Sequence, residues 1–184
     1  MRHTLKLFAV AAALVATPVL AMDANPMVGN AVMMASKDIV SNAVNSPVHT
    51  TLVAAVKAAG LVETLQSKGP FTVFAPTNDA FENLPAGTVD TLLKPENKAK
   101  LTKVLTYHVL AGKFVAADVM AAIKKGGGKV AMKTVAGNTL TLTTNGPANV
   151  VIKDESGNTA NISTYDVIQS NGVIHVIDTV LLPK

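Results

Sequence analysis

The chain has 184 residues, no cysteine, no tryptophan and a formal net charge of +4. That length fits one domain able to bury a core without covalent staples. The missing cysteines exclude disulfides, thiol chemistry and cysteine-ligated metals, and the two Tyr and five Phe are not interleaved with basic residues as a single-strand nucleic-acid surface requires.

The first segment, MRHTLKLFAVAAALVATPVLA, reads as a secretory signal peptide over residues 1–21. Arg2 and Lys6 precede an apolar run from Leu7 to Val15, Pro18 breaks the run, and Ala21 closes the cleavage pattern. The run is shorter than the roughly 20 apolar residues of a membrane span. The expectation is a mature chain with no stable membrane span, exported to the periplasm or outside the cell. Losing Arg2 and Lys6 lowers the formal charge by two, so the basic balance does not imply nucleic acid as a partner. Residues 22–35, with Pro26, Gly29 and four Met, read as a flexible leader to a domain over 36–184.

Ser36 is placed to cap a first helix carrying Ile39, Val40, Ala43 and Val44 on one face. Asn45-Ser46-Pro47 breaks it. A second helix turns Leu52, Val53, Val56 and Ala59 inward and ends at Gly60. A short piece with Val62 and Leu65 stops before Gly69-Pro70. FTVFAP, from Phe71 to Pro76, reads as a buried strand. Thr77 then caps a short helix with Asp79 in its first turn and Ala80, Phe81 and Leu84 inward. LPAGTVDTLLK makes another short helical turn.

From Pro95 to about Val109, Leu101, Val104, Leu105 and His108 recur at helical spacing, with Asn97, Lys100 and Lys103 opposite. His108 therefore lies on the buried stripe, Tyr107 falls on its flank, and Gly112 ends the element. Beyond Gly126-Gly127-Gly128, six segments alternate or run apolar: KVAMKTV, NTLTLTT, NVVIKDE, TANIST, YDVIQS and GVIHVIDTVLL. Turn signals separate most of them, including Asn145-Gly146 and Ser170-Asn171-Gly172. Helices first and strands later predict an α+β fold with a mainly antiparallel sheet.

Chemistry is scarce. No nucleophile elbow, phosphate-binding loop or dinucleotide fingerprint occurs. KKGGGK, from Lys124 to Lys129, is a loop between helix and strand with no helix after it to complete an anion site. His49, His108 and His175 have no ligand partner at metal-binding spacing, so neither metal nor cofactor is expected. Asp154-Glu155 lacks the spaced acids of a calcium loop. His175 stands in a strand apolar on both faces, so it and His108 read as core hydrogen-bonders. Asn161-Ile162-Ser163 is a glycosylation sequon. A polyanion-binding role through Lys94, Lys98, Lys100, Lys103 and Lys113 is a weaker reading than plain solvated surface.

Three segments together carry a resemblance. GPFTVFAPTNDAF (Gly69 to Phe81), LTYHVLAG (Leu105 to Gly112) and NGVIHVIDTVLLP (Asn171 to Pro183) resemble the signature segments of fasciclin-like domains, in the same order and at about the same spacing. The resemblance runs from about Asp38 to Pro183. It implies a helical layer packed on a β-sandwich or wedge, and an extracellular, non-enzymatic adhesion module whose partner is a cell-surface or matrix protein or glycan. It also implies a binding role for the Tyr-His segment, here Tyr107, His108, Val109 and Leu110, and a structural role for Thr77, Asn78, His108, His175 and Asp178. Helical spacing sharpens that expectation: His108 bonds the loop near Thr77 or Asn78 from within, while Tyr107 faces out. Two alternatives stay open. One is a small-ligand binder using a groove between helices and sheet. The other, a hydrolase, needs two convergent carboxylates or a serine bonded to His49.

Overall fold

The computed structural model describes residues 25–146 and 149–184; the expected signal peptide lies outside them. The expected leader is, from Asn25 on, not a loose tail. Strands β1 (Met27–Val28) and β2 (Ala31–Val32) form a hairpin that buries Val28, and Met33 after it is buried too.

Seven α-helices follow among the described residues. Helices α1 (Ile39–Asn45), α2 (Thr50–Ala59) and α3 (Val62–Gln66) come first. Asp38, not Ser36, caps α1: its carboxylate accepts the Ser41 N–H at 2.9 Å. Asp38 stands the three residues before that N–H that an N-cap bond needs, and residues 35–37 are still in a turn. Gly60 ends α2 at φ +73°, the left-handed conformation that glycine adopts without a Cβ penalty. Strand β3 (Phe71–Pro76) leads into α4 (Asn78–Glu82), where Thr77 Oγ1 accepts the Ala80 N–H. Then come α5 (Thr88–Leu93) and α6 (Lys98–Tyr107), the latter preceded by a 3-10 turn over Pro95–Asn97. His108 caps α6, and the next three residues, Val109–Ala111, are strand β4 rather than more helix. Helix α7 (Ala116–Lys125) buries Val119 and Ile123, one turn apart.

The remaining strands are β5 (Lys129–Lys133), β6 (Thr139–Asn145), β7 (Asn149–Lys153), β8 (Thr159–Gln169) and β9 (Gly172–Ile177). They join β3 and β4 in one seven-stranded sheet of order β4-β3-β9-β8-β7-β6-β5. Only β3 and β9 pair in parallel. A bridge between Leu110 and Thr134 brings the two ends together, so the sheet nearly closes on itself. TANIST and YDVIQS are one strand, β8, not two. Register shifts between Ile162 and Val167 bend it, and Asp166 sits there at φ +54°.

Side chains alternate along β3 and β9, so each strand feeds two cores. Val73, Ala75, Ile174 and Val176 face the helical layer with Val40, Leu52, Val56 and Leu105. Phe74 and Ile177 face the sheet interior with Leu140, Leu142, Ile152, Val119 and Ile123. Burial on both faces explains why FTVFAP and GVIHVI read as continuous apolar runs. The structure is mixed α+β, as the segment order predicted.

Candidate functional site

The Tyr-His segment lies at the end of α6, where the helix passes between the two cores. Tyr107 is fully buried and His108 is only 3% exposed; Val109 and Leu110 are buried as well. The expectation that Tyr107 faces out is therefore corrected. The helix ends with Tyr107 pointing into the sheet interior, among Phe74, Leu140 and Leu181. Its hydroxyl accepts the Glu155 N–H at 3.0 Å and donates to the Thr139 carbonyl at 3.1 Å. That one phenol ties the start of β6 to the turn after β7. Burial raises the phenol's pKa, and the nearby Glu155 and Asp154 carboxylates push the same way.

His108 does act from within, but on another partner than expected. Its Nδ1 faces the Val104 carbonyl at 2.7 Å, and its Nε2 receives the Leu181 N–H at 3.0 Å. No bond to Thr77 or Asn78 forms, because the ring points past β3 toward the chain that leaves β9. These partners fix the tautomer: Nδ1 carries the proton and Nε2 the lone pair. The ring is thus neutral, and its burial lowers its pKa to about 4. Asp154 holds the same tail, since its carboxylate accepts the Leu182 N–H at 2.9 Å.

His175 follows the same logic on β9. Its Nε2 donates to the Phe114 carbonyl at 2.9 Å and its Nδ1 accepts the Asp166 N–H at 3.3 Å. The ring stacks on that of Phe74, with centroids 5.8 Å apart and planes inclined by 28°. Burial lowers its pKa. It therefore fastens both the β8 bulge and the approach to α7. At the bulge, the Asp166 carboxylate accepts the Ala116 N–H at 2.7 Å and so caps α7, whose own N-cap residue Val115 has no side-chain acceptor.

Thr77 and Asn78 are also structural. Asn78 accepts the Thr51 N–H at 3.1 Å and donates to the Pro47 carbonyl at 3.0 Å. It thereby supplies the cap that His49, at the N-cap of α2, does not make. Asp178 clasps Asn161, accepting its backbone N–H at 2.8 Å and its side-chain amide at 2.9 Å. Burial raises the Asp178 pKa, but these donors and Thr179 outweigh it and hold the carboxyl below its ordinary value. The sequon side chain is thus engaged in the fold.

Two polar hubs escaped the sequence reading. Asn171 accepts the Ile39 N–H at 3.0 Å and donates to the Leu65 and Ser67 carbonyls at 2.8 and 2.9 Å. Asn42, fully buried in α1, pairs twice with the Met34 backbone and also donates to Gln169. The available signal was asparagine in a tight turn for the first and asparagine among apolar residues for the second.

A serine does bond His49: Ser46 Oγ lies 2.8 Å from Nδ1. Both residues are buried, and Nε2 has no hydrogen-bond partner. Among the described residues, neither lines the cavity enclosed by α1, α2, α3, β3 and the end of α6, and no carboxylate hydrogen-bonds the His49 ring. That cavity measures about 40 Å³ and is walled by apolar chains such as Val40, Val56, Leu65 and Val73. Among the described residues, no group of three His, Asp or Glu side chains converges as metal ligands, and no helix is long and apolar enough to cross a membrane.

Residues 47–183 match the family described as the fasciclin domain. Protein sll1483 of Synechocystis sp. is 47% identical over 157 residues, covering 85% of this chain and 79% of that protein. Cell surface glycolipoprotein MPB83 of Mycobacterium bovis is 44% identical over 89 residues, covering 46% of this chain and 39% of that protein. Among solved structures, the FAS1 domain pair of the insect cell adhesion molecule Fasciclin I aligns with TM-score 0.69 at 19% identity, covering 79% of this chain and 51% of that one. This likeness shows the fold, and the family match agrees with the three signature segments. The chain belongs to the fasciclin domain family.

Proposed function

We propose that the chain is an exported, non-enzymatic adhesion or interaction module whose partner is a cell-surface or matrix protein or glycan. One observation carries this reading: the signature side chains named above are engaged within the protein itself. Tyr107, His108, Asn78, His175 and Asp178 each hydrogen-bond a partner within the protein. The signature therefore builds the scaffold, and recognition falls to the surface around it. The signal-like first segment supports export. A cell-surface relative and a fold shared with an adhesion molecule support the setting.

The small-ligand alternative has less support. The cavity between the helical layer and β3 is about 40 Å³, far below the roughly 300 Å³ at which small-molecule pockets begin, and the larger space between α7 and β6, about 470 Å³, is a more open groove lined by residues such as Met120, Lys124, Gly128 and Thr144. The buried Ser46–His49 pair supplies no open hydrolytic site.

The test is saturable binding of the labelled protein to intact cells and to isolated envelope material, beside an ester and peptide hydrolysis screen. The proposal expects saturable binding with no turnover above the buffer rate. Turnover that disappears in Ser46→Ala, with no surface binding, contradicts it.

A further inference from the structure

Among the described residues, no element covers the outward face of the β5–β8 sheet region. Leu140, Leu142, Val150, Ile152 and Ala160 point into the sheet interior, where α7 also packs Val119 and Ile123. The alternate positions point to solvent. Their registers set a regular array. Lys129 faces Thr143 and Lys133 faces Thr139 across the β5–β6 pair. Thr141 faces Lys153 across β6–β7, and Lys153 faces Thr159 across β7–β8. The three lysines are exposed.

The outward residues of these strands include no carboxylate and no aromatic ring. The nearest carboxylates stand at the margins and are occupied. Glu155 accepts from Asn138 and the Thr139 N–H, and Asp178 accepts from Asn161. Strand geometry sets the scale. Four residues along β5 separate Lys129 from Lys133 by about 13 Å, and Lys153, two strands across from Ala131, stands about 12 Å from each. Thr139, Thr141 and Thr143 of β6 stand between the β5 lysines and Lys153, and Thr159 flanks Lys153 on its other side.

Resting on the adhesion reading above, the geometry points to this face as a docking surface for a linear anionic polysaccharide. Ammonium groups spaced along and across the strands meet carboxylates or sulfates that recur along a sugar chain. Threonine hydroxyls between them exchange hydrogen bonds with the ring hydroxyls. Charge complementarity selects an anion. The missing aromatic rings disfavour nucleic-acid bases, which need a stacking platform. The absence of a large apolar wedge disfavours a bilayer.

The experiment measures binding of the protein to immobilised polygalacturonate and heparin, with dextran as the neutral chain. A thymidine oligonucleotide and anionic phosphatidylglycerol vesicles test the other anionic surfaces. The proposal expects binding to at least one acidic polysaccharide, none to dextran, and weakening as salt screens the charges. The triple variant K129A/K133A/K153A should bind at least tenfold more weakly with an unchanged melting temperature. T141A/T143A, which keeps every charge, should weaken it severalfold. Replacing Lys94, Lys98 and Lys100, on the helical side, should leave it unchanged.

Equal binding by the K129A/K133A/K153A variant, equal loss in the helical-side variant, or tighter binding to the oligonucleotide or vesicles overturns this assignment. So does failure of the unmodified protein to bind either acidic chain. Saturable attachment to cells that survives K129A/K133A/K153A removes this face and leaves the adhesion reading standing.

Discussion

The Leu181 N–H donates to His108 Nε2 at 3.0 Å, joining positions 73 residues apart in the chain. Through this bond the end of α6 grips the tail that leaves β9. The tail is gripped a second time by Asp154 at the next N–H. The histidine of the Tyr-His segment is thus an internal clamp between the helical layer and the last strand.

Removing that clamp should be costly. His108→Leu fills much the same space but leaves the buried Leu181 N–H and the Val104 carbonyl short of a partner. Orphaned buried groups cost about 1–3 kcal/mol each. The expected loss is about 3 kcal/mol in a urea unfolding curve, with the circular dichroism of the folded state retained.

The same ring sets a pH dependence. The folded pKa is about 4, below the ordinary 6.5. Above pH 6.5 the ring is neutral in both states and stability is flat. Between 6.5 and about 4 the unfolded chain binds the proton more readily, so stability falls as pH falls. Below about 4 the ring's contribution levels off. A shift of this size corresponds to about 3 kcal/mol. His49 and His175, whose pKa values are lowered by burial, act in the same direction. Urea unfolding at a series of pH values checks this, and His108→Leu should flatten the slope in that window.

Tyr107→Phe isolates the phenol. The substitution keeps the ring in the core and deletes one acceptor for the Glu155 N–H and one donor to Thr139. A loss of about 1–2 kcal/mol is expected. The turn after β7 should show faster amide exchange, while α1 and α2 stay protected. Hydrogen-exchange mass spectrometry reads both.

Asn171→Ala should be more damaging than its place in a turn suggests. It strips the Ile39 N–H and the Leu65 and Ser67 carbonyls of their partner at once. A loss of about 3 kcal/mol is expected, measured by thermal or urea unfolding. Asn171→Asp should recover only part of it, since a carboxylate accepts from Ile39 but cannot donate to the two carbonyls.

Local patterns made much of the fold legible. The apolar stripe of α6, the left-handed Gly60, the Thr77 cap and the doubly buried β3 and β9 each follow from residues close together in sequence. What stayed hidden depends on distant residues. The cap of α2 comes from Asn78, that of α7 from Asp166, and the first N–H of α1 is met by Asn171. No local pattern shows a helix end completed by another element. The switch from helix to strand after His108 was missed for a similar reason. Val109 continues the helical apolar spacing, and only pairing with β3 makes it and Leu110 a strand. Tyr107 was misplaced because position on a helix flank says nothing about a second core beyond it. His108 was correctly read as buried, but its partner in the C-terminal tail lay beyond what spacing can reveal.

The clamp can be tested most directly by following the His108 ring nitrogens by NMR from pH 8 to pH 3.5. The structure predicts a neutral ring with the proton on Nδ1 and a lone pair on Nε2, titrating near pH 4 if the fold survives to that point. A ring that titrates near 6.5 in the folded protein, with its tautomers exchanging freely, would contradict the internal clamp and return the Tyr-His segment to the surface.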